Sequence, residues 1–390
     1  MTPEEIKLLS ELTIVIPTYN RPLELERSIE YWRDTPVTVH ILDGSENPCF
    51  NLGSLPGIPN VTYHYMPAKH GEKPSQNYAR RLIFGTSLPT TKYSSLLAVD
   101  DCMTISGLCE VLAELNNDSR LDAMIGRAAL YDISKENPIW QLRYADLRNS
   151  EDYRSKNVAT RLLNPDRAPW LYYGVVKTNL WAKLFQISFK YDISKTEALM
   201  AIVDKALCRI QILEKIVWVR QGYVPRIGMD SIYYEPRPSL LKQIFNKNRL
   251  TERRLMRRQV KEAIKFSSPS VNKFKVWWLA RKTTKPKILR RHKNFWRIKE
   301  RMIRKLLRFF SFLSPEIRRK ITEFLPWRIS GPLGYYKIKP ETLAATSRTS
   351  LDEFLILLQK SDVNFDPSEL RDFENLLRKP REELRLRANI

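Results

Sequence analysis

The chain has 390 residues, 43% of them hydrophobic, so it is long and apolar enough for one large and one smaller globular domain, which argues against wholesale disorder. Its four scattered cysteines and four histidines favour neither a disulfide framework nor a zinc cluster, and they fit a reducing, cytosolic compartment. The first residues lack the basic start and apolar core of a signal peptide, and no apolar run approaches the roughly 20 residues of a membrane-spanning helix, so we expect neither export nor a membrane span.

The formal net charge of +23 is confined to one part of the chain. Residues 1–240 contain 28 basic and 28 acidic side chains, residues 241–330 contain 28 and 5, and residues 331–390 contain 10 and 10. A local excess of one charge indicates a charged surface. We therefore predict a globular domain over residues 1–240, a basic amphipathic helical region over residues 241–330, and a small helical tail over residues 331–390.

Short apolar runs rich in strand-forming residues alternate with helical patterns from about residue 13 to residue 234. This alternation is typical of strands joined by crossover helices, so it predicts an α/β fold with a mainly parallel, Rossmann-like sheet flanked by helices. In chain order, the predicted strands are TIVIPTY, VTVHILDGS, VTYHYM, SSLLAVDD, AMIGRAALYD and KIVWVRQG, and the predicted helices are residues 22–33, SQNYARRLIFGTS and ALMAIVDKALCRIQ.

Two short helices are predicted in the tail. Ser350 with Glu353, and Asp366 with Glu369, have the spacing of a helix-capping box, and Pro367 suits the first position of a helix. The apolar residues that follow each cap indicate packing rather than chemistry.

Polar residues follow three of the predicted strands where those strands end. They are PTYNR at residues 17–21, DGS at residues 43–45, and the adjacent carboxylates Asp100 and Asp101. Ligands of open α/β sheets bind beyond the carboxyl ends of the strands. Adjacent carboxylates repel one another unless partners compensate, and Mg²⁺ or Mn²⁺ carrying substrate phosphates is a usual compensator. The alternative is a solvated pair that caps the next helix.

In this order, the motifs TIVIPTYNRP, LDGSE, GEKPSQNYARR and AVDDC resemble those of the family 2 glycosyltransferases and their GT-A relatives, over roughly residues 13–235. The resemblance implies that residues 1–240 form a GT-A domain that binds a nucleotide-diphosphate sugar. Within that domain it assigns Asp43 to the base, and Lys73 and Asn77 to the nucleotide sugar. The residues that it implies for nucleotide-sugar binding are Pro17, Thr18, Tyr19, Arg21, Asp43, Lys73, Asn77, Asp100 and Arg220.

The AVDDC segment is similar to the metal motif of that family, which is often D-x-D or a run of acidic residues. Here Val99 precedes the pair and Cys102 follows it, so only two consecutive carboxylates remain. The resemblance implies that Asp101 binds Mg²⁺ or Mn²⁺, and that Asp100 holds the ribose or a metal-coordinated water. Cys102 is an alternative metal ligand, although its sulfur is too soft for Mg²⁺.

Transfer with inversion requires a carboxylate that takes up the proton of the acceptor hydroxyl. In FKYDISKTEALMAIVDKAL, an acidic residue at the start of a helix resembles the family's acceptor-activating position, which gives Glu197 as the first candidate base and Asp192 as the second. The helix dipole alone also favours an acid in the first turn. Arg220 resembles a late basic position that meets the diphosphate, and a surface ion pair is the alternative.

The segment APWLYYGVVKTNLW resembles the part of these enzymes that surrounds the sugar and the acceptor. Trp170, Tyr172 and Tyr173 are able to stack on pyranose faces there. The alternative is an ordinary aromatic cluster in the core.

Between Lys293 and Leu313, apolar residues recur at helical spacing and cations occupy most of the other positions. A basic helix with aromatic residues on its apolar face suits an anionic membrane surface, where lipid-linked acceptors are found. Packing of an amphipathic helix on the core is one alternative. Nucleic acid is another, but no recognition motif for nucleic acid accompanies the basic residues.

Together these features predict a cytoplasmic glycosyltransferase that is peripheral to the inner face of the membrane. It is expected to transfer a sugar from a nucleotide-diphosphate donor to a polysaccharide or glycolipid hydroxyl, with Mg²⁺ or Mn²⁺. A nucleotidyltransferase of the same sheet architecture is an alternative, although the chain lacks the Gly-rich phosphate loop with which such enzymes usually open. An inactive GT-A domain that serves as a membrane scaffold is another.

Overall fold

The computed structural model describes residues 1–49, 58–132, 139–143, 151–164, 171–191, 196–221, 247–284, 349–361 and 363–379. The amino-terminal part of the fold alternates helices and strands up to residue 117. Its elements are α1 (Pro3–Ser10), β1 (Leu12–Thr18), α2 (Pro22–Trp32), β2 (Thr38–Asp43), β3 (Val61–Tyr65), α3 (Pro74–Gly85), β4 (Tyr93–Leu96), β5 (Cys102–Met103) and α4 (Ile105–Asn117).

The second part adds four strands and ends in helices. Its elements are β6 (Ala123–Asp132), β7 (Ile139–Arg143), α5 (Glu151–Arg154), α6 (Val158–Leu163), a 3₁₀ turn (Leu171–Tyr173), β8 (Val175–Lys177), α7 (Thr178–Ser188), α8 (Thr196–Leu207), β9 (Ile210–Gln221), α9 (Lys247–Ser267), α10 (Lys273–Thr283), α11 (Leu351–Gln359) and α12 (Pro367–Arg378).

The strands form one mixed sheet in the order β3-β2-β1-β4-β8-β6-β9-β5, with β7 beside β6. Strands β3, β2, β1 and β4 are parallel, β6 and β9 are parallel, and β8, β5 and β7 run antiparallel to their neighbours. Among the described residues, six of the nine strands therefore run in one direction. The prediction of a mainly parallel sheet flanked by helices is confirmed.

The spacing of apolar residues explains why the early elements form where they do. Leu25, Ile29 and Trp32 are buried on one face of α2, at the spacing of one helical stripe. Strand β1 is buried at five consecutive positions from Leu12 to Ile16, as a central parallel strand must be when helices cover both faces of the sheet. The register pairs Thr18 with Asp43, so the polar ends of β1 and β2 lie side by side.

Two predicted elements end earlier than the sequence pattern indicates. The run SSLLAVDD leaves the strand after Leu96, and the amide of Asp101 donates to Ala98 O at 3.0 Å, so the acidic pair lies in a turn between β4 and β5. The helix in ALMAIVDKALCRIQ ends at Leu207, because Ile210 already pairs with Ala123 in the sheet.

The described part of the tail packs on the sheet beside β7 and β9. The predicted caps are confirmed, since Ser350 accepts from the amide of Glu353 and Asp366 accepts from the amides of Ser368 and Glu369. The apolar faces of α11 and α12 join a core cluster with residues of β6, β7 and β9. Their predicted packing role is confirmed.

The described part of the basic region also packs on the core. Val260, Ala263 and Ile264 of α9 and Leu279 of α10 are buried in the same cluster as residues of α7 and α8. No helix among the described residues is both long and apolar enough to cross a bilayer. The amphipathic segment between residues 293 and 313 lies outside the described residues.

Candidate functional site

The loops that follow β1 and β2 are tied to one another by hydrogen bonds. The amide of Asn20 donates to Ser45 Oγ at 2.7 Å, and the amide of Gly44 donates to Thr18 O at 3.0 Å. Asn20 has a positive φ of 52°, a conformation that asparagine tolerates better than most residues. The loops after β1 (residues 19–21) and after β2 (residues 44–49) therefore form one polar surface at the carboxyl edge of the sheet, which we call the polar ledge.

A buried arginine donates hydrogen bonds to the strand ends that carry this ledge. The guanidinium of Arg81 on α3 donates to Thr18 O and Leu42 O, each at 2.7 Å, and to Asn77 Oδ1 at 2.9 Å. A Cβ atom on Gly44 would lie 2.5 Å from the Arg81 guanidinium. Glycine stands in the DGS motif because the arginine packs directly against its backbone.

Asp43 is fully buried, and its carboxylate is satisfied by neighbouring groups of the same ledge. One oxygen accepts from the amide of Ser45 at 2.9 Å and from the Ser45 hydroxyl. The other accepts from the amide of Cys49 at 2.8 Å and from the hydroxyl of Tyr63. In this arrangement Asp43 shapes the loop, and a nucleotide base would have to replace one of these partners to contact it.

Asp100 faces the ledge across the end of β4. Its carboxylate forms an ion pair with Arg21, the residue just before α2. Burial of the Arg21 guanidinium opposes its charge, but Asp100, together with Glu24 and Asp101, outweighs burial, so the pKa of Arg21 is raised. The carbonyl oxygen of Asp100 accepts from the hydroxyl of Tyr131 at 2.7 Å. Side chain and backbone of Asp100 are thus both held by residues distant in sequence.

Asp101 points inward and is held by β9. It is 6% exposed, and its two oxygens accept from the indole Nε1 of Trp218 at 3.0 Å and the amide of Gln221 at 2.9 Å. Burial, and then the charge of Asp100, raise the pKa of Asp101 well above its ordinary value. Three groups of β9, the charge of Arg220 and the hydrogen bonds from Gln221 and Trp218, lower the pKa of Asp101 and offset only part of this rise.

Aromatic rings and a second arginine surround this inner carboxylate. Tyr173 stacks on Trp218 with ring centroids 4.1 Å apart. The guanidinium of Arg220 lies 5.3 Å from the centroid of the Trp218 ring, and its charge opposes the rise in the Asp101 pKa. Tyr172, one residue earlier, contacts the hydroxyl of Tyr78 instead.

A small cleft of about 20 Å³ opens beside the acidic pair, between α2 and α12. Both carboxylates line it, together with Tyr131 and Phe373. The ring of Phe373 on α12 meets that of Tyr131 edge to face at 5.2 Å. The carboxyl-terminal tail therefore supplies one wall next to Asp100, Asp101 and Tyr131, which lie more than 240 positions before Phe373.

The structure brings several of the predicted site residues together and separates others. Arg21, Asp100, Asp101 and Arg220 form one charged group. Asn77 accepts a hydrogen bond from Arg81, and its Oδ1 lies beside Gly44 at the end of β2. The carbonyl of Thr18 accepts from Gly44 and Arg81, while its buried hydroxyl has no hydrogen-bond partner among the described residues. Pro17 and Tyr19 lie next to Thr18 in the chain, and Lys73, which is exposed, is the residue just before α3.

Both candidate bases fall outside what the structure describes. Asp192 lies between described segments, and Glu197 belongs to the first turn of α8, but its side chain is not described. Trp170 is outside the described residues as well. The assignments of these residues therefore stay predictions.

Sequence reasoning missed three residues that organise the site, which are Arg81, Tyr131 and Trp218. Arg81 follows Asn77 by one helical turn, a spacing that places two polar side chains on one face of α3 and could have flagged the pair. Tyr131 and Trp218 carry no such signal, because their contacts with the acidic pair depend on the order of β6, β9 and β5 in the sheet.

Among the described residues, no group of three or more His, Cys, Asp or Glu side chains is placed to hold a metal ion. The acidic pair offers hard oxygen ligands at this edge of the sheet. Cys102 is buried, and the pKa of its thiol is raised well above the ordinary value by burial and by Asp101. The alternative of Cys102 as a metal ligand stays a prediction.

Fold and site together define an α/β protein with a charged site at the carboxyl edge of its parallel strands. No protein-family model matches the sequence, and no curated protein matches it. Similar solved structures include residues 1–349 of S. aureus TarS in complex with UDP, which is 14% identical, covers 90% of each chain and has a TM-score of 0.44. The same protein in complex with UDP-GlcNAc is 14% identical, covers 69% of this chain and 79% of that one, and has a TM-score of 0.42. Likeness at this level does not assign a function.

Proposed function

We propose that the protein is a glycosyltransferase that moves a sugar from a nucleotide-diphosphate donor to a hydroxyl of a polysaccharide or glycolipid. The proposal includes inversion at the anomeric carbon and a requirement for Mg²⁺ or Mn²⁺. It also places the protein in the cytoplasm, peripheral to the inner face of the membrane.

The observation that carries the proposal is the pairing of two adjacent carboxylates with two arginines at the carboxyl edge of the sheet. Arg21 meets Asp100, and Arg220 lies over Trp218, which holds Asp101. A donor diphosphate is anionic and binds arginine, whereas a divalent cation binds carboxylates. A site with both kinds of side chain next to each other therefore suits a diphosphate that carries a divalent cation.

The acidic pair fits a hard divalent cation by its chemistry. Mg²⁺ is commonly held by one or two carboxylates together with substrate phosphates and water. Each carboxylate oxygen accepts up to two hydrogen bonds, so the contacts from Trp218 and Gln221 leave Asp101 with capacity for an ion. Asp101 is the proposed metal ligand, and Asp100, the more exposed of the two, is proposed to hold the ribose or a metal-coordinated water.

The bound ion would supply charge neutralisation for the departing diphosphate. The arginines contribute to the same end, because cations placed where negative charge develops stabilise the transition state. The ledge formed by β1 and β2 holds the nucleotide through its backbone and the buried Thr18 hydroxyl. Glu197, or else Asp192, takes the proton of the attacking acceptor hydroxyl.

Donor binding is the first test. The protein is screened by thermal shift and donor hydrolysis against UDP, GDP, CDP and dTDP sugars, with and without Mn²⁺. The expected result is a metal-dependent shift with one nucleotide. The absence of metal-dependent binding across the whole panel would reject the enzyme proposal.

Variants then separate the roles of the acidic residues. Asp101→Ala should abolish metal-dependent binding, whereas Glu197→Gln should leave binding intact and remove transfer. Asp118→Asn is the matched control, since Asp118 pairs with exposed Arg120 beyond the carboxyl end of α4. Retained turnover in Glu197→Gln would move the base to another residue, with Asp192→Asn tested next.

The same screen addresses the alternatives. A nucleotidyltransferase would release pyrophosphate from a nucleoside triphosphate and a sugar phosphate, which a coupled phosphate assay detects. An inactive scaffold would hydrolyse none of the donors, whether or not it binds one.

A further inference from the structure

Helix α10 has one buried face and one exposed aromatic face. Val276, Leu279 and Ala280 are buried against the core. Phe274 is 72% exposed, Trp277 41% and Trp278 39%. Because positions i, i+3 and i+4 share one side of a helix, the three aromatic rings form a contiguous outward surface, which we name the α10 aromatic face.

Cations stand next to these rings. The guanidinium of Arg281 lies 5.2 Å from the centroid of Trp277, and the ammonium of Lys282 lies 4.7 Å from that of Trp278. Lys273 and Lys275 flank Phe274 in sequence and are exposed. The α10 aromatic face is thus apolar at its centre and positively charged at its border.

Acidic residues are scarce in this part of the chain. Residues 247–284 contain twelve Lys and Arg but only two acidic side chains, Glu252 and Glu262. Glu262 on α9 is paired with Lys183 and Lys190. α10 itself has no acid, so its surface complements a negatively charged partner.

We propose that the α10 aromatic face docks the protein on an anionic lipid surface. Indole and phenyl rings flanked by lysine and arginine suit the headgroup boundary, where the rings meet the acyl chains and the cations meet anionic headgroups. The inference rests on the membrane-associated part of the proposed function and gives it a site within the described residues. It differs from the segment at residues 293–313 that the sequence pattern indicates.

Membrane binding is measured by co-sedimentation with vesicles of phosphatidylcholine, with or without phosphatidylglycerol, in the absence of donor. The full chain should bind vesicles that contain phosphatidylglycerol and lose binding as salt rises. The triple variant Phe274→Ala, Trp277→Ala, Trp278→Ala should bind at least tenfold more weakly. The variant Lys275→Gln, Lys282→Gln should lose about fivefold per cation.

Two matched controls carry exposed groups elsewhere. Ile356 on α11 is 50% exposed, and Lys7 on α1 is exposed, so Ile356→Ala and Lys7→Gln remove similar groups away from α10. Both should bind like the unmodified chain. Only exposed side chains are changed, so we expect every variant to keep its fold. Thermal unfolding of each variant checks this.

The depth to which the α10 rings enter the bilayer is tested with brominated lipids, which quench tryptophan fluorescence. The variant Trp277→Phe, Trp278→Phe keeps aromatic rings on the surface, so it should still bind but show much less quenching. Unchanged binding by the aromatic triple variant, or unchanged quenching here, would overturn the proposal.

Soluble inorganic polyphosphate distinguishes a lipid surface from a general polyanion site. If polyphosphate displaces the protein and the aromatic variant still binds vesicles as strongly as the unmodified chain, the surface recognises charge alone and the proposal is wrong. Donor hydrolysis without vesicles is measured in parallel. If the protein hydrolyses a donor but does not bind vesicles, only the docking surface is refuted. If it binds vesicles but hydrolyses no donor, only the enzyme proposal is refuted.

Discussion

Tyr131 holds the backbone of the acidic pair through a single hydroxyl group. That hydroxyl donates to the carbonyl oxygen of Asp100 at 2.7 Å, and the ring is 1% exposed between Trp140 and Phe373. The substitution Tyr131→Phe removes one oxygen atom and keeps the ring. It therefore tests whether this hydrogen bond positions the site.

The size of the effect follows from the hydrogen bond that is lost. A neutral hydrogen bond contributes about 1 kcal/mol net, and a buried carbonyl left without its donor costs about 1–3 kcal/mol. We expect the free energy of unfolding to fall by about 1–2 kcal/mol. If the Asp100 carbonyl shifts, metal-dependent donor affinity falls with it, by about tenfold for 1.4 kcal/mol. Burial raises the pKa of Tyr131 well above its ordinary value, so the loss should not depend on pH near neutrality.

Tyr93→Phe is the matched control. The hydroxyl of Tyr93 donates to Asn116 Oδ1 at 2.9 Å, its ring is fully buried, and it lies at the opposite end of β4 from the acidic pair. Urea unfolding gives the stability of both variants, and titration with donor and Mn²⁺ gives their affinity. Similar losses of stability are expected, with reduced affinity only in Tyr131→Phe. Equal, unchanged donor affinity in both variants would refute the positioning role of Tyr131.

The remaining predictions concern the ledge, the tail and the pH dependence of stability. Arg81→Met removes the hydrogen bonds that the guanidinium donates to Thr18 O, Leu42 O and Asn77 Oδ1, and should lower the free energy of unfolding by about 2–4 kcal/mol in urea titrations; a loss below 1 kcal/mol would contradict the bracing role. Glu369 accepts from the amide and hydroxyl of Ser106 at 2.8 and 2.6 Å, so Glu369→Gln should loosen α12 and speed its removal by limited proteolysis, and equal cleavage rates would count against this contact. Burial and then His64 lower the pKa of His40 to about 4, so the unfolded chain binds more protons below pH 6.5 and stability should fall from pH 6.5 towards pH 4; His40→Gln should flatten that part of the profile in urea titrations, and an identical slope would exclude His40 as its source.

Much of the first half of the fold could be predicted from the sequence. Local periodicity of apolar residues, bounded by Pro and Gly, predicts the strands at TIVIPTY and VTVHILDGS and the helix that begins at Pro22. Both tail caps were predictable for the same reason, since an N-cap and the helix it starts lie within four residues of each other. Strand AMIGRAALYD was found with the bounds that the structure gives to β6.

The bounds at SSLLAVDD and ALMAIVDKALCRIQ could not be predicted, because pairing in the sheet decided them. Ile210 is apolar and continues the helical pattern, but its pairing with Ala123 draws it into β9. Similarly, Leu97 and Val99 look like strand residues, yet the chain turns after Leu96 to bring the acidic pair towards β9.

The sequence by itself determined that carboxylates and an arginine follow the ends of parallel strands, because that placement depends only on local pattern and strand direction. Only the tertiary structure decided how the two carboxylates differ. Asp100 faces outward to Arg21, and Asp101 faces inward to Trp218, more than a hundred residues away. The physical reason is that burial and charge compensation depend on neighbours in space, and here those neighbours come from the loop before α2 and from β9, which the fold brings next to one turn.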